Sequence, residues 1–106
     1  MAREKFQTLT EPMFYILLCL RQERCGADIA AQVKELTKNR ITIGPGTLYN
    51  LLDGFLQAGM IRETRAEGRR RSYIVTDKGR GALEAEVRRL EILLEDYRTH
   101  IGEEEP

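Results

Sequence analysis

Between residues 60 and 76 the repeat of the chain changes from helical to alternating. MIRETRA (60–66) and RRSYIVT (70–76) both alternate and contain β-formers, and Glu67-Gly68-Arg69 separates them. The pattern predicts one hairpin. Three stretches of helical periodicity precede it and one follows it. Three helices and then a two-stranded ribbon make the layout of a winged helix, mainly α with a small β-hairpin. In that fold the third helix enters the DNA major groove and the ribbon lies along the backbone.

The helical stretches carry their own start and stop signals. Thr10 can cap a first helix, with Glu11 and Pro12 in its first turn, where proline is tolerated. MFYILLCL (13–20) is apolar on nearly every side, which suits a helix central to the domain or shared with a second subunit. RQERCG (21–26) reads as a polar break. Ile29, Ala30, Val33 and Leu36 then recur at helical spacing and predict a second helix over about 27–37. TKNR is a polar turn, and Ile41-Thr42-Ile43 reads as a very short strand. Residues 1–9 read as an arm.

The third helix opens on Gly44-Pro45-Gly46 and is expected to stop at Gly59. At 100° per residue, Leu48, Leu51, Leu52 and Phe55 share one side. Gly46, Asn50, Asp53 and Gln57 share the other, flanked by Thr47 and Tyr49. The glycines leave the helix N-terminus bare, so backbone N–H groups and the positive end of the helix dipole can approach a phosphate. Thr47 and Tyr49 offer hydroxyls to phosphates. Asn50 has the donor and acceptor pair that matches adenine in the major groove. A nucleotide-binding loop is excluded, because no Gly-Lys-Ser/Thr follows.

Charge is uneven although the chain is neutral overall. Residues 62–80 carry seven basic groups against three acidic ones, whereas residues 84–106 carry eight acidic groups against Arg88, Arg89 and Arg98. Three consecutive arginines, Arg69, Arg70 and Arg71, fall at the hairpin tip. Strand alternation would turn Arg70 away from the other two. A tip this basic suits a minor groove or a phosphate clamp. A charged edge that deters aggregation is the structural alternative.

In the last helix Leu83, Val87, Leu90, Leu94, Tyr97 and Ile101 are spaced 4, 3, 4, 3, 4. That is a heptad seam, widened by Ile92 and Leu93. A helix from 77 to about His100 spans roughly 37 Å, more than a winged-helix body needs. The surplus seam is expected to pair with a second copy of the chain in a twofold homodimer. The chain thus divides into a winged-helix unit (1–76) and a dimerisation helix with an acidic tail (77–106).

Other functions find no chemistry here. Cys19 and Cys25 fit no metal or CxxC spacing, and the one histidine, His100, is a poor base or ligand. No catalytic set, metal site or cofactor motif is present, so an enzyme is not expected. No apolar run reaches eighteen residues, so no membrane partner is expected. MAREKFQTL lacks an apolar signal-peptide core, and the expected location is the cytoplasm. A winged helix used only for protein–protein contact is the rival to DNA binding.

"LTEPMFYILLCL", "GPGTLYNLL", "AGMI" and "GRRRSYIVTDKG" together resemble the PadR-type transcriptional regulators over about residues 9–100. The length resembles their short subgroup with one C-terminal dimerisation helix. The resemblance implies a winged-helix dimer that represses promoters at a pseudo-palindromic operator. It also implies release of double-stranded DNA on binding a small phenolic or drug-like effector. By the same resemblance Thr47 and Tyr49 hold the operator, and Arg69–Arg71 form the wing tip. Some relatives stack ligands on tryptophan, which this chain lacks; Phe14, Tyr15 and Tyr97 are the aromatic candidates in its place.

Overall fold

The computed structural model describes residues 8–104, so most of the expected N-terminal arm lies outside the described residues. The Thr10 hydroxyl accepts from the Met13 amide at 3.4 Å and begins α1 (Glu11–Cys19). A two-residue strand, β1 (Arg24–Cys25), leads directly into α2 (Gly26–Leu36). Then come α3 (Pro45–Gln57), the hairpin β2 (Ile61–Glu67) and β3 (Arg70–Val75), and α4 (Asp77–Glu104). The sheet is antiparallel with β3 in the middle, β2 on one side and β1 on the other. This is a winged helix, mainly α.

The core forms where the helices turn their apolar stripes inward. Ile16, Leu17 and Leu20 from the first helical segment meet Ile29 and Val33 of α2 and Leu52 and Phe55 of α3, all fully buried. Tyr73 and Val75 of β3 close it from the sheet side.

One junction sets the wing against the helices. Gly59, at φ +76°, ends α3 in the left-handed region. The Met60 amide donates to the Phe55 carbonyl at 2.9 Å, and Gly59 N–H to Leu56 at 3.1 Å. This pair of bonds is the Schellman motif, and it leaves Met60 and Phe55 in contact with the core. Thr76 completes the junction. Its amide donates to the Met60 carbonyl at 2.9 Å and its hydroxyl to the Gly59 carbonyl at 2.6 Å. The same hydroxyl accepts from the Gly79 amide at 3.2 Å, capping α4. "AGMI" and "TDKG" are therefore two halves of one joint.

Four sequence expectations are corrected. Ile41-Thr42-Ile43 forms no strand; it is a loop in which Ile43 plugs the core. The strand is Arg24–Cys25, inside the stretch read as a polar break, because those residues lie beside Tyr73 and Ser72 of β3. Helix α4 runs to Glu104 rather than ending near His100. Leu83, assigned to the dimer seam, is buried in the core of its own chain. The helix leaves the body only after this turn, so the exposed seam begins at Val87.

Beyond that point α4 projects. The radius of gyration is 16.2 Å, against about 13 Å for a compact domain of this length. Val87, Leu90, Leu93, Leu94, Tyr97 and Ile101 are all substantially exposed along it.

The base of α4 is fastened by a buried carboxylate. Glu86 is 3% exposed. Its Oε1 accepts from the Leu9 amide at 3.1 Å, and its carboxylate also accepts from the Arg89 guanidinium at 2.5 and 3.2 Å. The bond from Arg89, followed by the bond from Leu9, holds the Glu86 carboxyl below the usual glutamate range against the opposing effect of burial. A depressed folded-state pKa stabilises the fold above the unfolded value, and that stability is lost as pH falls. Glu86→Gln is expected to lower stability by about 1–3 kcal/mol at neutral pH. It should also flatten the acid limb of stability below about pH 4.3. Thermal melts of both chains across that limb check this; an unchanged limb would remove Glu86 from the acid response.

Candidate nucleic-acid interface

Helix α3 begins without a side-chain cap. Gly44 is the N-cap residue, Pro45 has no N–H, and the first helical bond is Leu48 N–H to the Gly44 carbonyl at 2.9 Å. The Gly46 and Thr47 amides are thus left without an intrahelical acceptor. Gly44, Pro45, Gly46 and Thr47 are all exposed. A Cβ built at Gly44 or Gly46 meets nothing within 4 Å, so the space before this helix end is open. Tyr49, Asn50 and Asp53 are exposed on the face away from Leu48 and Leu52.

Tyr49 is held from behind. A Cβ at Gly26, the first residue of α2, would lie 3.3 Å from Tyr73 Cε2 and 3.4 Å from Tyr49 Cε1. The missing side chain lets both rings lean on the start of α2. Tyr73 is buried there, and its phenol is pushed above the usual tyrosine value, first by burial and then by the charge of Glu63. Gly26 was not among the residues singled out from the sequence, because it sits inside the polar break. Its only signal is a glycine at a helix start, which says nothing of the rings that meet there.

The wing turns on two residues. Glu67 pairs with Arg70, leaving Gly68 and Arg69 as the loop, with Gly68 at φ +61°. A glycine of positive φ at the first position is the requirement of a type II′ turn. Tyr49 and Asp53 of α3, Tyr73, and all three of Arg69, Arg70 and Arg71 line one cleft of about 340 Å³. Strand alternation therefore does not part Arg70 from its neighbours. Arg69 belongs to the turn rather than to a strand, and guanidinium stems reach round a ribbon this thin.

Two of the three candidate aromatics adjoin: the Phe14 and Tyr15 rings meet edge to face with their centres 5.4 Å apart. Phe14 lines a groove of about 410 Å³ between α1 and α4, floored with Leu18, Leu83 and Val87 and rimmed by Arg21 and Arg88. The Tyr15 hydroxyl accepts from Arg40 at 3.0 Å, and the guanidinium carbon lies 5.8 Å from its ring centre. Tyr97 stands fourteen residues beyond Leu83, about 21 Å along α4.

Among the described residues no three His, Cys, Asp or Glu side chains are grouped as metal ligands. No helix among them is long and apolar enough to cross a membrane.

A bare helix start beside an arginine-tipped ribbon defines a winged-helix protein of the regulator type. The chain belongs to the PadR-like family of transcriptional regulators, whose sequence profile matches residues 16–85. That membership makes it a regulator and not an enzyme. Solved structures agree in fold. RosR of H. salinarum is 26% identical, with a TM-score of 0.65 over 89% of this chain and 87% of its own. A transcriptional regulator from Clostridium thermocellum is 19% identical, with a TM-score of 0.71 over 84% of this chain and 90% of its own. Bacillus subtilis PadR, solved in complex with operator DNA, is 25% identical, with a TM-score of 0.62 over 71% of this chain and 45% of its own. Among curated proteins none matches the chain.

Proposed function

We propose that this chain is a homodimeric, sequence-specific repressor that binds a pseudo-palindromic operator in double-stranded DNA. One observation carries the DNA reading: Tyr49 of the open-ended α3 and Arg69–Arg71 of the wing line the same cleft. Helix α3 enters the major groove, where the Gly46 and Thr47 amides and the Thr47 and Tyr49 hydroxyls meet phosphates. Asn50 reads a base edge. The arginine tip lies along the flanking backbone or minor groove. B. subtilis PadR, similar in fold and solved in complex with operator DNA, supports the DNA-binding reading.

The second copy joins along Val87, Leu90, Leu94, Tyr97 and Ile101. An apolar face this long is rarely left to water. Pairing there sets two α3 helices about one duplex turn apart, roughly 34 Å. A small-molecule effector would enter at the groove floored by Phe14, where a ligand could alter the angle between α4 and the body.

Sequencing DNA fragments that co-purify with the chain tests the operator reading; a single palindromic motif is expected. The dimer has its own test. Leu90 and Leu94 are exposed in the single chain, so Leu90→Glu with Leu94→Glu should leave the fold intact. The variant is expected to sediment as a monomer. It should bind the motif at least about 100-fold more weakly, because the bivalent advantage is lost. A wild-type chain that sediments as a monomer while binding duplex equally well overturns the dimer.

A further inference from the structure

The arginines of the wing are not in equivalent states. Arg71 Nη1 donates to Glu63 Oε1 at 3.0 Å, and Arg65 Nε lies 3.7 Å from Glu23 Oε2. Arg69 and Arg70 have no acidic partner among the described residues. Sheet register explains the sorting. Glu63 pairs with Tyr73, and Arg71 sits two residues before Tyr73 on the same strand, hence on the same face and diagonal to Glu63. The ladder then slips by one residue at Thr64. This bulge turns the next part of β2 toward the segment before β1, where the Thr64 hydroxyl donates to Glu23 at 2.5 Å. Two arginines of the hairpin strands, Arg65 and Arg71, are thus given to two different carboxylates.

We infer that Glu63 is an intramolecular stand-in for a DNA phosphate, holding Arg71 until a seated duplex takes its place. The inference rests on the DNA-binding reading above. Arg71 faces the cleft shared with Tyr49, Arg69 and Arg70, so a backbone that meets those groups also meets Arg71. The ion pair is half in water, with side-chain exposures of 57% and 32%. Pairs of that kind are weak and exchangeable. A backbone phosphodiester offers the guanidinium two oxygens and the same single negative charge, in the field of a whole duplex of such charges. The exchange leaves Glu63 unpaired beside DNA, where it must recruit a cation. Glu63 thereby cancels much of the counterion release that Arg71 would otherwise contribute, and it sets how tightly the wing grips a duplex.

The test is fluorescence anisotropy on a labelled mixed-sequence duplex of about two helical turns, roughly 21 base pairs. Titrations run from about 50 to 200 mM salt. Glu63→Gln is expected to tighten binding roughly five-fold at about 100 mM salt and to steepen the log–log salt slope by about one. Glu63→Gln combined with Arg71→Ala should bind as Arg71→Ala alone does. Unchanged or weaker binding by Glu63→Gln overturns the inference. So does a gain that persists without Arg71, since that would be a general charge effect. Arg69→Ala with Arg70→Ala separates the two readings. If that pair weakens binding while Glu63→Gln does nothing, only the role of Glu63 falls; if the pair has no effect, the DNA role of the wing falls with it.

Discussion

Gly79→Ala is expected to destabilise the chain by roughly 3–5 kcal/mol, a large share of what holds a domain this small together. A Cβ at Gly79 would lie 2.1 Å from the Met60 carbonyl oxygen, 2.4 Å from Val75 Cγ2 and 3.1 Å from the Met60 carbonyl carbon. None of these can yield cheaply. The Met60 carbonyl accepts from Thr76 N–H, and the Met60 amide is spent in the Schellman pair that ends α3. Val75 is buried and its amide donates to the Leu20 carbonyl at 2.8 Å. An added methyl must push α4 off the joint between helices and wing, breaking bonds in both. Gly81, two residues further along α4, is the internal control. Nothing lies within 4 Å of a Cβ there, and the residue is exposed. Gly81→Ala should gain about 0.5–1 kcal/mol from helix propensity alone. Opposite signs in thermal melts of the two variants are the expected result. A harmless Gly79→Ala would mean that the α3–wing–α4 joint is looser than its hydrogen bonds require.

This contrast also marks how far the sequence could be read. The hairpin, the Gly59 stop and the Thr10 cap were legible because each is written in residues close together: an alternating period, a glycine after an apolar stripe, a threonine before one. What Gly79 touches was not, because Met60 lies nineteen residues back and only the folded joint brings it near. Strand β1 was missed for a related reason. Two residues have no period, and Arg24–Cys25 becomes a strand only because Tyr73 and Ser72 lie alongside. Ile41-Thr42-Ile43 alternates like a strand, but Ile43 alone is a core plug. The heptad from Leu83 to Ile101 identified an apolar face without saying what covers each turn; the body takes Leu83 and leaves the rest. Glu86 entered only as one of the eight acidic groups of residues 84–106, since its partner Leu9 lies at the other end of the chain. At the candidate interface the three arginines and the open start of α3 were legible in outline. Their division into paired and unpaired members depends on the register that sets Glu63 opposite Tyr73, which no alternation reveals.

That division selects the substitutions with the largest expected effect on DNA. Arg69→Ala with Arg70→Ala should lower affinity for a mixed-sequence duplex roughly 50-fold at about 100 mM salt. The salt slope should fall by about two, one for each phosphate that the variant no longer neutralises. Arg69 and Arg70 carry the effect because no carboxylate holds them among the described residues, so each phosphate they meet releases counterions without uncovering an acid. Arg71→Ala removes the same kind of charge but also frees Glu63, and its slope should change by less than one. Stability should change little in the double variant, since both side chains are exposed and the turn keeps Gly68. Asn50→Ala separates position from reading: its expected loss is confined to one base pair of the operator, with the salt slope unchanged. If the arginine pair instead altered base preference and left the slope intact, the wing would be reading sequence rather than gripping the backbone. The division of labour between α3 and the ribbon would then have to be reversed.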